Sequence, residues 1–149
     1  MSSRPRLIFL LNSAQRHLQQ WMAAQQEVAT PAAVPAASPA QSGVLFILDK
    51  GDGATMGELA KALDLAPSAV SGLIQRMEAL QWVCRRPCTL DARTQRVWLQ
   101  DAGRAQLPAL KSALARINHQ LTAGFTDDEL HTVARWLQHV QHLHTQDKP

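Results

Sequence analysis

Cysteine is scarce: there are two in 149 residues, Cys84 and Cys88, too few for a disulfide framework. Long apolar runs are missing as well. The run Leu7 to Leu11 near the start is only five residues, short of a signal-peptide core, and no stretch approaches the ~20 apolar residues that span a bilayer. A cytoplasmic, reducing setting with no membrane partner is therefore expected. Charge is thin at 18%, while hydrophobic residues reach 46%, enough for a real core and against wholesale disorder. No glycine-rich phosphate loop, GxSxG or His-x-x-x-His pair with a nearby acid is present. Neither an enzyme nor a cofactor nor a metal site is expected, and no internal repeat is visible.

The charge that is present is unevenly placed. From Ala66 to Arg104 there are six arginines (Arg76, Arg85, Arg86, Arg93, Arg96, Arg104) against three acids (Glu78, Asp91, Asp101). That local excess equals the whole-chain +3, so the rest of the chain is neutral. The surplus is all arginine, whose planar fork suits phosphates and guanine edges.

Along the chain, apolar spacing predicts a first helix from about Arg6 to Gln26. A loop with Pro31, Pro35 and Pro39 comes next, and Ser38 with Gln41 forms a capping box for a helix to about Leu48, apolar nearly all round and expected to be buried. After "DKGDG", Thr55 with Glu58 caps a short helix, Asp64-Leu65 turns it, and Pro67 opens the next helix at Ser68. Then "WVCRR" and "RVWLQ" flank "PCTLDARTQ" and read as a β-hairpin. Helix, tight turn, helix and hairpin are the outline of a winged helix-turn-helix. Beyond it, Leu107, Leu110, Leu114, Ile117 and Leu121, with Pro108 as a bend, form one heptad-like stripe. Leu130, Val133, Leu137, Val140 and Leu143 form another, capped by Thr126 and Glu129. Such stripes pack against other helices or a second subunit. The expected fold is mainly α with a small β-hairpin wing. Residues 1–37 form an N-terminal dimerisation helix and linker, 38–103 the winged domain, and 104–149 C-terminal dimerisation helices.

On a helical wheel of ~100° per residue, Val70, Leu73, Ile74, Met77 and Leu80 share the core side of the candidate recognition helix. Ser68, Ser71, Gly72, Gln75 and Ala79 lie opposite, with Arg76 on the flank. That face has no acid and no bulky group, which is what close approach to base edges in a major groove requires. Gln75 suits a bidentate contact to adenine, Ser68 and Ser71 bases or phosphate, and Arg76 phosphate. In the hairpin, Asp91 is expected to hold one arginine while another reaches from the tip into a minor groove. Arg93 and Arg96 are the tip candidates, with Arg85 and Arg86 near the hairpin base. A surface ion pair between Asp91 and Arg93 is the plainer alternative.

Taken together, "ELAKALDLAPSAVSGLIQRMEALQWVCRR", "DART" and "VWLQDAGRA" resemble the DNA-binding core of the multiple-antibiotic-resistance regulator (MarR) family over about Pro39 to Arg104. The resemblance implies a homodimer with interlocking terminal helices that grips a pseudo-palindromic operator in double-stranded DNA. It also implies repression, relieved by small aromatic or phenolic compounds, by oxidation or by metals. Three departures stand out. Ala66 cannot cap the recognition helix through a side chain, Gly72 replaces a commonly basic residue, and Gln81 stands where a helix-ending glycine is usual.

In that family the effector cleft lies between the dimerisation helices and the winged lobe, so His17 and Trp21, one turn apart, are expected to line it; Trp21 packed in a dimer interface is the alternative. Cys84 and Cys88 read as inert thiols, the competing idea being a redox sensor in the wing. His139 and His142 have a spacing that can share a metal, but with His119, His131 and His144 they read as a solvated face. The functional alternative is a winged-helix module for protein–protein assembly that never touches DNA.

Overall fold

The computed structural model describes residues 5–29 and 37–143. The loop around Pro31 and Pro35, and His144, lie outside them. The described residues divide between two compact units, with the boundary between Gly43 and Val44 inside the second helix.

The first unit holds helix α1, Leu7–Ala29, and the first turn of α2, Pro39–Lys50. The Ser38 box forms: the Ser38 Oγ accepts from the Gln41 N–H at 3.2 Å, and the Gln41 Oε1 accepts from the Ser38 N–H at 2.9 Å. These bonds satisfy donors that a helix start otherwise leaves open.

The second unit comprises the winged lobe and the C-terminal helices. In α2, Val44, Leu45 and Leu48 are buried, whereas Phe46 and Ile47 are half-buried, so the helix buries one side and not its whole circumference. A two-residue strand β1, Ala54–Thr55, leads into α3, Met56–Leu63. Thr55 and Glu58 close a full capping box there, and Asp64 ends the helix in the left-handed region at φ 52°, a conformation that the short Asp side chain tolerates. Helix α4, Pro67–Ala79, starts with proline in its first turn and has no side-chain cap at Ala66. Its wheel is as expected: Val70, Leu73, Ile74 and Met77 are buried. Helix α3 packs on α4, and α4 on the sheet.

The wing is β2, Val83–Pro87, and β3, Gln95–Leu99, antiparallel with Val83 opposite Leu99 and Arg86 opposite Arg96. β1 adds a third strand outside β3, giving the order β1-β3-β2. Two residues show no periodicity, so the sequence pattern does not reveal this strand. Alternation sets the two faces of the sheet. Val83, Val97 and Leu99 are buried, while Cys84, Arg86, Arg96 and Trp98 occupy the opposite face.

Gly103 lies in α5, Asp101–Arg104, so close to Trp82 that any side chain would overlap the Trp82 carbonyl. The chain then runs into α6, Leu107–Thr122, and α7, Asp127–Gln141. Pro108 sits in the first turn of α6, where it opens the helix. It does not bend one continuous helix, as the sequence suggested.

Candidate nucleic-acid interface

Side chains on the outer face of α4 are open to solvent. Ser68, Ser71, Gln75 and Arg76 are all exposed, and Gly72 is half-buried. A methyl at Gly72 would meet only the Arg76 Nη1, at 3.4 Å. The face is smooth because the bulky residues of α4 are spent on the core. Gln81, just past the helix, takes the left-handed conformation at φ 60°, which explains why glycine suits that position.

The hairpin turn is held by its own backbone and by Asp91. The Asp91 Oδ1 accepts from the Arg93 N–H at 3.0 Å, and Oδ2 accepts from the Thr94 hydroxyl at 3.3 Å. The Asp91 carbonyl accepts from the Thr94 N–H, and the Thr94 carbonyl from the Cys88 N–H at 2.7 Å. Asp91 thus fixes the tip through the backbone and Thr94, and no Asp91–arginine ion pair forms among the described residues. Arg93 is exposed, and among the described residues its guanidinium makes no side-chain hydrogen bond or ion pair.

The other arginines differ from one another. Arg85 is bound internally: Nη2 lies 2.8 Å from the Glu78 Oε2, Nε donates to the same oxygen at 3.0 Å, and its backbone N–H donates to the Glu78 Oε1. This pair ties the middle of β2, opposite Val97, to the end of α4, so Arg85 and Arg86 do not sit at the hairpin base as expected. Arg86, on the other face, is exposed. Arg96 is half-buried, donating from Nη1 to the Gly53 carbonyl at 2.8 Å and from Nε to the Cys88 Sγ at 3.4 Å. Arg104 pairs with Asp52 at 2.8 Å. The sequence placed these guanidinium groups in one basic cluster. The structure separates a free tip, Arg93, from arginines engaged with the protein.

Asp52 drew no notice in the sequence. Its Oδ1 accepts from the Leu99 N–H at 2.8 Å and the Gly53 N–H at 3.1 Å, while Oδ2 meets Arg104. It therefore anchors β3 and α5 to the β1 turn. An acid between two glycines in "DKGDG" reads locally as a turn residue, and Leu99 and Arg104 are far away along the chain.

The Arg96 guanidinium, helped by the backbone N–H groups of Leu90 and Asp91, holds the Cys88 thiol below the ordinary cysteine range. Cys84 and Cys88 are both free. Four positions along an extended strand separate them by ~13 Å, beyond disulfide reach. His17 is exposed and Trp21 half-buried on α1. The His142 Nδ1 lies 2.6 Å from the Gln138 carbonyl and the His131 Nδ1 2.7 Å from that of Asp127. Among the described residues no three metal-binding side chains converge, and no helix is long and apolar enough to cross a membrane.

Two helices joined by a left-handed turn, an open second helix and a three-stranded wing define a winged helix-turn-helix protein. Residues 38–94 match the MarR family model, so the winged core is similar to that family. Solved structures agree on the fold across nearly the whole chain. BpsR of Bordetella bronchiseptica, whose DNA binding is regulated by 6-hydroxynicotinic acid, is 22% identical with a TM-score of 0.72, covering 92% of this chain and 99% of its own. A probable transcriptional regulator from Pseudomonas aeruginosa is 24% identical with a TM-score of 0.72, covering 91% and 99%. PcaV of Streptomyces coelicolor, solved with its natural ligand, is 19% identical with a TM-score of 0.75, covering 95% and 98%. No curated protein matches the chain in sequence.

Proposed function

We propose that the chain is a cytoplasmic, homodimeric, sequence-specific regulator of transcription that binds duplex DNA as a repressor and is released by a small aromatic effector. The observation that carries this reading is the exposed, acid-free face of α4, together with a turn pinned by Asp91 whose Arg93 guanidinium has no partner among the described residues. Ser68, Ser71, Gln75 and Arg76 enter the major groove. Arg93 enters the adjacent minor groove, where narrow width concentrates negative potential, and Arg86 lies along the backbone. Arg85, bound to Glu78, and Arg96, bound to Gly53 and Cys88, act through the shape of the wing.

Dimerisation is supported by the apolar residues that α6 and α7 leave exposed, Leu114, Leu121, Val133 and Leu137 among them. With two-fold symmetry the half-sites lie ~10 base pairs apart. Release by an effector is supported by the folds shared with BpsR and PcaV. His17 and Trp21, one turn apart on α1, are assigned to the effector.

The test is binding of the purified chain to duplex DNA across a salt series. Affinity falls steeply with salt when several phosphates are neutralised, and Arg93→Ala weakens binding by ~1 kcal/mol or more while leaving the thermal unfolding temperature unchanged. A chain that assembles with other proteins and never meets DNA shows neither effect. Quenching of tryptophan fluorescence and loss of DNA affinity with phenolic or heteroaromatic acids check the effector; indifference to the whole panel removes it.

A further inference from the structure

The bonds that Arg96 makes near the loop-side end of β3, opposite Arg86, suggest a role other than touching DNA. Its guanidinium spans two separate pieces of chain: Nη1 donates to the Gly53 carbonyl at 2.8 Å and Nε to the Cys88 Sγ at 3.4 Å. The Gly53 end is fixed. Gly53 is buried at φ 82°, with the Trp98 ring so close that a Cβ would come within 2.7 Å. Its N–H donates to the Val97 carbonyl at 3.0 Å and to Asp52. The Cys88 end is the opposite kind of place. Cys88 lies just past β2, at the start of the loop that carries Asp91 and Arg93, and the Cys88 N–H bond to the Thr94 carbonyl closes the neck of that loop. One side chain therefore braces the outer loop against the packed, hydrogen-bonded corner at Gly53.

Arginine suits this task because its fork reaches two acceptors in different directions from one planar group. The register adds a second reason. Arg86 stands directly across the ladder from Arg96, and like charges so placed repel unless one is engaged elsewhere. With Arg96 turned to Gly53 and Cys88, Arg86 is left facing solvent.

We infer that Arg96 is a positioning residue of the wing, bridging Cys88 and the Gly53 carbonyl so that the tip presents Arg93 at a fixed height and angle. This rests on the DNA-binding reading and adds to it a division of labour between two arginines three residues apart. Loss of Arg96 costs affinity by letting the tip wander, with no phosphate contact removed.

The test uses the full chain and the duplex it recovers by selection from random-sequence DNA. Arg96→Ala is expected to weaken binding about tenfold, the scale of one lost charged hydrogen bond, with the slope of log affinity against log salt unchanged. Arg93→Ala, in contrast, reduces that slope by about one phosphate. Arg93→Ala is also expected to cost much less in the Arg96→Ala background than in the unaltered chain, because a wandering tip keeps the Arg93 charge beside the phosphates but has already lost the aligned hydrogen bonds of that contact. A general loss of stability leaves the cost of Arg93→Ala the same in both backgrounds. Arg96→Lys keeps the positive charge and loses the fork, and is expected to bind as weakly as Arg96→Ala. Cys88→Ala weakens binding in the same sense, and Cys88→Ser, which retains an acceptor, restores it. Full affinity in Arg96→Lys, a salt slope reduced by Arg96→Ala, or additive costs for Arg93 and Arg96 would each overturn the inference while leaving DNA binding intact. Failure of the unaltered chain to bind any duplex sinks the DNA-binding reading and this inference with it.

Discussion

The winged lobe and the two C-terminal helices use apolar residues in opposite ways. In the lobe, Leu45, Leu48, Leu59, Ile74, Met77 and Val97 are below 2% exposed, and their alternation matches helix and strand periods. In α7 no residue is buried, although Leu130, Val133, Leu137 and Val140 form as regular a stripe as any in the lobe. Val133 is 48% exposed and Leu137 38%. The periodicity is equally good in both regions. The difference is the presence of a facing surface, so the lobe supplies its own core and the terminal helices are complete only against another surface. In the proposed homodimer a second copy of the chain supplies it.

That contrast can be broken most severely in the lobe. Leu45→Ala is expected to cost about 2–5 kcal/mol of folding stability, at any protein concentration, in denaturant titrations. Leu137→Asp acts elsewhere: a charge on the α7 stripe is expected to weaken self-association by about 2–3 kcal/mol. Sedimentation then shows a monomer at concentrations where the unaltered chain is dimeric, and the lobe remains folded. If Leu137→Asp leaves the oligomeric state untouched, the stripe faces something other than a second copy.

Smaller effects sharpen the comparison at the helix ends. Thr126→Ala removes the cap of α7 and is expected to cost about 1 kcal/mol, read as a lower unfolding temperature. In the paired boxes the backbone N–H of Thr126 holds Glu129, and that of Thr55 holds Glu58, below the ordinary carboxylate range. A depressed folded-state pKa stabilises above the unfolded value and is lost as pH falls through the folded one. Both caps therefore weaken on acidification below the usual carboxylate range, and Glu129→Gln flattens that part of the pH–stability curve. Gly72→Ala is the mildest change and has the opposite sign. Only a flexible Arg76 tip meets the added methyl, and α4 gains about 0.5–1 kcal/mol in thermal unfolding.

Much of this was legible in the sequence because it is local. Three capping boxes, the turn at Asp64 and the core face of α4 each depend on residues within one or two helical turns. The two-residue β1 was not legible, since so short a strand exists only through its partner β3. Pro108 misled for a related reason: a proline that ends one helix and one that opens the next look alike until the break at Ala105-Gln106 is seen.

The sequence by itself determined which faces are apolar, where helices start and stop, and that arginine gathers around one smooth helix, because propensity, capping and periodicity operate over a few residues. Tertiary structure alone decided how those arginines divide. Arg85 turns to Glu78, Arg104 to Asp52 and Arg96 to Gly53, each an acceptor brought close by the fold, and Arg93 is left at the tip. A charge count cannot show this division, since a guanidinium takes whatever acceptor lies within ~3 Å and that distance exists only once distant segments meet.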